Sequence, residues 1–202
     1  MLMVRRLAIA FLVLFVLVAS ILLRLSFLSD EETDRGIILV ATNFGTETTT
    51  HADFVDKLIW NTKLHQKATL KIFLGSYVLL MGRKGFLVKA PPNYYIFIDM
   101  YFYYSLNQNE KEALIAHEFG HIVYEYNLID KLQFKILYKF DPLGKRRNEI
   151  LTKYQIRADG FSAENTSPAA VISLLNKLYL IDSEDPDHKM RIKSLNRLKQ
   201  GH

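Results

Sequence analysis

Asn107–Val123 reads NQNEKEALIAHEFGHIV. Asn107 is a helix-capping residue type, and Glu110 follows three positions on, the spacing at which the two side chains satisfy each other's backbone N–H groups. From Ala113 the stretch is apolar except for His117, Glu118 and His121. The pattern predicts a capped helix from Gln108 to Tyr126 that is buried over most of its circumference. Burying one carboxylate and two imidazoles without partners costs roughly several kcal/mol. A divalent metal supplies partners directly. Residues four apart share a helix face, so His117 and His121 can each present a ring nitrogen about 2 Å from one ion. Glu118 is turned about 100° from His117, where it reaches a water beside the metal, which is the place of a general base. The plain alternative is a pair of core histidines satisfied by protein groups. His51, His65, His188 and His202 have no comparable context and read as surface residues.

Composition narrows the chemistry around that helix. There is no cysteine, which excludes disulfides, thiolate zinc sites, iron–sulfur clusters and a cysteine nucleophile. Any metal must therefore sit on histidine and carboxylate. Hydrophobic residues make up 50% of the chain and charged residues 23%, so the chain can bury a core and is not a disordered polymer. The formal charge of +5 is modest. Bases in the C-terminal run Lys189–Lys199 recur at helical spacing, as on a solvated face, and no nucleic-acid partner is expected.

Toward the N-terminus, Leu7–Leu23 carries no charge, and apolar residues resume after Arg24 as Leu25, Phe27 and Leu28. About 20 residues of helix cross a bilayer core, so residues 7–28 suffice if Arg24 snorkels. Arg5 and Arg6 precede the segment, and Asp30, Glu31, Glu32 and Asp34 follow it. The positive-inside rule then predicts a single-pass membrane protein, with a cytoplasmic N-terminus and its domain on the periplasmic or extracellular side. Cleavage as a signal peptide at Val18-Ala19-Ser20 is the competing reading, against which the apolar run continues past that point. The domain division is 1–29 for the cytoplasmic tip and anchor, and 30–202 for a single globular unit.

Within that unit, Gly36–Thr42 (GIILVAT) reads as a strand, and Thr50–Leu64 as a helix. Thr69–Leu74, Tyr77–Met81 and Phe86–Lys89 are rich in β-branched and aromatic residues and are separated by glycines, which predicts a small sheet. Pro91-Pro92-Asn93 is a turn signal before the strand pattern Tyr94–Asp99. Helical patterns follow at Asp130–Phe140, Asn148–Glu164, Pro168–Ile181 and Pro186–Lys199. Ser167-Pro168 and Asp185-Pro186 each put a capping residue before a proline at the first helical position. Strands first and helices later predict an α+β domain, a small sheet plus helices.

An ordered set of these residues resembles the gluzincin membrane metalloproteases, the family of HtpX-like quality-control proteases and CAAX prenyl endopeptidases. The resemblance runs from Tyr95-Ile96-Phe97-Ile98, similar to the family's edge strand, through Leu106-Asn107 and Glu110–Ile115 into the H-E-x-x-H helix. It resumes at Arg157-Ala158-Asp159, similar to the family's E-x-x-A-D helix, and at Asp185-Pro186 with Arg191-Ile192, similar to its H-P…R-I segment. It implies a minimal gluzincin metallopeptidase domain behind one transmembrane helix. One zinc ion on His117 and His121 is implied, with Glu118 as the catalytic base and a polypeptide substrate added as a strand beside Tyr95, Ile96, Phe97 and Ile98. In the family the third ligand is a glutamate four residues before the aspartate, and that position is Gln155 here. An amide brings no charge to offset the ion's. Asp159 is then either a replacement ligand or, as in the family pattern, the acceptor that orients a zinc-bound histidine. Family members often have several membrane spans, whereas only the N-terminal one is expected here. A domain that has lost its zinc site and binds partners is the alternative function, and hydrolysis of cell-wall peptides a third.

Overall fold

Successive side chains of Thr69–Gly75, Gly85–Ala90 and Asn93–Asp99 alternate between two sheet faces, and that alternation sets the layers of the molecule. The computed structural model describes residues 34–62, 69–77, 84–90, 92–124, 145–179 and 186–200. It is an α+β domain. The described elements, in chain order, are α1 (residues 34–43), β1 (Gly45–Thr48), α2 (Ala52–Trp60), β2 (Thr69–Gly75), β3 (Gly85–Ala90), β4 (Asn93–Asp99), α3 (Met100–Ser105), α4 (Gln108–Val123), α5 (Lys145–Asn165), α6 (Pro168–Tyr179) and α7 (Pro186–Gln200).

The sheet is mixed, in the order β1-β2-β4-β3. β1 is antiparallel to β2, β2 parallel to β4, and β3 antiparallel to β4, with Ile72, Ile96 and Leu87 in one row and Phe73, Phe97 and Phe86 in the next. The first row belongs to the main core, where Ile72, Ile96 and Ile98 pack with Ala113–Ala116 and Phe119 of α4, and with residues of α2, α5 and α6. The second belongs to an aromatic layer on the opposite face. There Phe97 stacks on Phe86 and Tyr95, with Tyr77 edge-on to Phe86 and Phe97, and α1 lies over them through Ile37, Ile38 and Ala41.

Two expectations are corrected here, and one helix is new. Gly36–Thr42 is helical, not a strand: positions 37, 38 and 41 fall on one helical face, and that face covers the aromatic layer. The short helix α3 was not expected; Asp99 caps it by accepting from the Phe102 backbone N–H at 3.1 Å. Tyr94–Asp99 is not an edge strand, because β4 is bonded on one side to β2 and on the other to β3. The helix in Thr50–Leu64, the strands at Thr69–Leu74 and Phe86–Lys89 and the helices in Asn148–Glu164, Pro168–Ile181 and Pro186–Lys199 fall where expected, with Pro168 at the first position of α6 and Ser167 capping it by accepting from the Ala170 N–H; the short strand β1 has no counterpart in the sequence patterns. No helix among the described residues is long and apolar enough to cross a membrane. The predicted anchor at 7–28, the Asp130–Phe140 helix, His65 and His202 lie outside the described residues, as does nearly all of Tyr77–Met81.

Candidate metal centre

The capping box that begins α4 forms as the spacing requires: Asn107 accepts from the Glu110 N–H at 3.0 Å, and Glu110 accepts from the Asn107 N–H at 2.8 Å. Glu110 is itself buried and also accepts from Lys177 at 2.7 Å and Ser173 at 2.6 Å, which ties α4 to α6. Burial would raise the pKa of this carboxyl, but its bonds to Lys177, Ser173 and the Asn107 backbone outweigh that and hold it below the ordinary value. The first turn of the helix is thus pinned. Every residue from Ala113 to Gly120 is buried, the polar pair His117 (7% exposed) and Glu118 (8%) included.

Close approach of α5 brings the remaining site groups up. A Cβ on Gly120 would stand 2.9 Å from the Cα of Ala158, so glycine permits the crossing. Ser162 donates to the Ala113 carbonyl at 2.7 Å, and His117 Nδ1 lies 2.8 Å from Asp159 Oδ1. Contacts 113–162, 117–159 and 120–158 define an antiparallel register, and continuing it by one turn brings the half-buried Gln155 level with His121.

With Nδ1 of His117 engaged by Asp159, its lone pair is on Nε2. That atom is 3.2 Å from His121 Nε2, and the two rings are edge-on with centroids 4.8 Å apart. Two tetrahedral zinc bonds of about 2.0 Å place their nitrogens about 3.3 Å apart. The pair has the spacing of two ligands of one ion. Burial, followed by the charges around it, lowers the His121 pKa to about 3, so this imidazole is neutral at ordinary pH, the form that binds a metal. Lys89 of β3 donates to the His121 carbonyl at 2.9 Å, fixing the strand against the end of the helix. At the other end of β3, a Cβ on Gly85 would stand 3.6 Å from Glu118 Oε1, so the carboxylate faces the start of the edge strand.

Asp159 is committed on both oxygens. Arg191 of α7 donates through Nε to Oδ2 and through Nη2 to Oδ1, each at 2.6 Å, and through Nη1 to the Tyr179 hydroxyl at 3.3 Å. Burial alone would raise the Asp159 pKa, but Arg191 and then His117 hold it down at about 2. The sequence resemblance carries Arg191 only as part of the H-P…R-I segment, separate from Asp159; the buried guanidinium fork is what connects them. Among the described residues no three His, Asp or Glu side chains form a group that could hold an ion. Two further corrections concern histidines read as surface residues. His51 is buried, with Nε2 2.8 Å from the Tyr103 hydroxyl, and half-buried His188 packs on the Tyr179 ring with its Nδ1 enclosed. Tyr95–Ile98, the expected substrate strand, lies inside the sheet, with Ile96, Phe97 and Ile98 fully buried.

No family profile, curated protein or solved structure matches this chain. The resemblance to gluzincin proteases therefore stands on the residues themselves.

Proposed function

We propose that this chain is a membrane-anchored, zinc-dependent endopeptidase. The observation that carries the reading is the facing Nε2 pair of His117 and His121 at 3.2 Å, with His117 held from behind by Asp159. His117 and His121 would hold the ion, with Gln155 as the candidate for a third ligand and Asp159 as the orienting acceptor. When bound, zinc supplies Lewis acidity toward water and toward the peptide carbonyl. Glu118, one residue on from His117, takes the proton from the attacking water and later delivers it to the departing amine. Its approach to Gly85 supports a proton transfer beside β3. The substrate strand accordingly pairs with β3, since both sides of β4 are occupied. Main-chain bonding of that kind selects extended, unfolded segments with little preference for sequence, which suits protein quality control. The anchor at 7–28 sets the domain on the periplasmic or extracellular side.

One observation favours the binding-module alternative, namely the lack of a third ligand group among the described residues. Metal content and the Glu118→Gln variant separate the two. An enzyme purified without chelator carries about one zinc per chain, and Glu118→Gln keeps the metal while losing 10²–10⁴-fold in peptide hydrolysis, roughly the contribution of a general base. A residual rate within about tenfold of the parent removes Glu118 from the chemistry, and a folded protein that takes up no zinc is the binding module.

A further inference from the structure

β3 ends the sheet order among the described residues, and its side chains divide between two layers. Phe86 and Val88 enter the aromatic layer, while Gly85, Leu87 and Lys89 turn toward α4, Leu87 into the main core and Lys89 onto the His121 carbonyl. The α4 side of β3 is therefore bare at one position, Gly85, which is the position beside Glu118 and is only partly buried. Neither packing nor backbone explains the glycine. A Cβ on Gly45, Gly75 or Gly120 would collide with Tyr77, Phe44 or Ala158. One on Gly85 would meet nothing closer than Glu118 Oε1 at 3.6 Å and Leu114 Cδ1 at 3.8 Å, and the φ of Gly85 is outside the left-handed region. Gly85 pairs in register with Ile98, so there is no bulge to account for it either. A glycine in a strand without these causes costs stability and often marks a place where another chain or a ligand comes close.

We propose that Gly85 is the specificity-determining position of this edge: a peptide strand added to β3 lays one aromatic or long aliphatic side chain over Gly85, against Leu114. The docking deepens the peptidase reading, and the position of the cut rests on it. Residues directly opposite each other in neighbouring strands put their side chains on the same face about 5 Å apart, and a large ring opposite a glycine covers the backbone that the glycine leaves bare. The peptide residue opposite Gly85 thus points toward α4. A general base works at about 3 Å from the water it activates. With Glu118 Oε1 3.6 Å from the Cβ position of Gly85, that water falls within about 7 Å of it, or roughly two residues of extended chain at about 3.4 Å each. The preferred side chain therefore lies no more than about two residues from the bond that is cut. Main-chain bonding alone is indifferent to sequence, and Gly85 adds this one preference.

The full-length chain in detergent, as parent and as Gly85→Leu, is given two assays. In the first, a library of peptides from denatured proteins is digested and the cut sites are read by mass spectrometry. In the second, the same proteins are chelated to stop turnover and bind fluorescein-labelled peptides of threonine and serine with one central phenylalanine or alanine, read by anisotropy. The parent is expected to show aromatic residues and leucine enriched at least about threefold at one position within two residues of the cut, and to bind the phenylalanine peptide at least about threefold tighter than the alanine peptide. Gly85→Leu fills the bare position, so both ratios fall to about one while zinc content stays at the parent's. Gly85→Ala, whose methyl makes only ordinary contacts, keeps the fold and loses part of both ratios; it carries the test if the leucine variant does not fold. Cleavage without such enrichment, or enrichment that survives in Gly85→Leu, overturns the specificity role and leaves the peptidase standing. Discrimination in binding by a chain that cuts nothing supports the docking at Gly85 and overturns the peptidase reading. A chain that neither cuts nor discriminates overturns both.

Discussion

Asp159 fixes what its neighbours can do. Both of its oxygens accept from Arg191, and one also meets His117 Nδ1 at 2.8 Å. A carboxylate so occupied orients a ligand; to become one it would have to release a buried guanidinium, which costs several kcal/mol. On the proposed zinc reading the third position falls to Gln155, which the helix register sets level with His121. Gln155→Glu adds a charge where the ion needs one, and zinc affinity should rise at least about tenfold, equivalent to roughly 1.4 kcal/mol. Asp159→Asn loses the charged acceptor behind His117 and should weaken zinc binding by about 10–100-fold without abolishing it. Competition titrations with a chromogenic chelator at one pH measure both. If Asp159→Asn abolishes binding while Gln155→Glu changes nothing, Asp159 is the ligand after all.

Between elements, the crossing of α4 and α5 is the contact on which the site depends. Glycine to alanine in a helix interior ordinarily gains about 1 kcal/mol. At Gly120 the added methyl meets the Ala158 backbone at 2.9 Å, and a packed backbone cannot step aside as a side chain tip does. Gly120→Ala should instead cost about 1–3 kcal/mol in urea denaturation and weaken zinc binding as well, because the same displacement draws Asp159 from His117. Glu110 makes the corresponding joint between α4 and α6. Its folded pKa lies below the ordinary 4.5, so its contribution is complete above that value and is lost as the pH falls through the lowered one. Glu110→Gln should cost roughly 2 kcal/mol at pH 7, and the difference from the parent should shrink steadily below pH 4.5. The α4 cap was legible because both of its bonds are local in sequence. The strand order was not, since β4 pairs in parallel with a strand more than twenty residues earlier and no local pattern records which neighbour it takes. Residues 36–42 misled for a related reason: a short apolar β-branched run suits either period, and only the aromatic face beneath it selects the helix. His51 was misread because its partner Tyr103 lies on an element that the sequence did not announce.

Taken whole, the molecule gathers its site from pieces far apart in the chain. Two histidines come from α4, the acceptor behind one of them from α5, and the guanidinium that holds the acceptor from α7. The unfolded chain keeps only the local His117–His121 spacing, and without the backing carboxylate that is a poor zinc site. Zinc should therefore bind the folded state far better than the unfolded one and stabilise it by mass action. At a free concentration about one hundred times the dissociation constant the gain is roughly 2.7 kcal/mol. For a domain of this size, each kcal/mol moves the melting temperature by about 2–4 °C, so saturating zinc should raise it by about 5–10 °C over the chelated protein. Calorimetry of the full chain in detergent measures this, and His117→Ala should remove most of the shift, because one remaining imidazole gives up both the chelate and the Asp159 backing. A shift that survives in His117→Ala means that zinc binds elsewhere on the chain. If the parent shows no shift at any zinc concentration, the two imidazoles are a hydrogen-bonded core pair, with His121 donating to His117 through Nε2, and the chain is a binding module built on a peptidase-like helix.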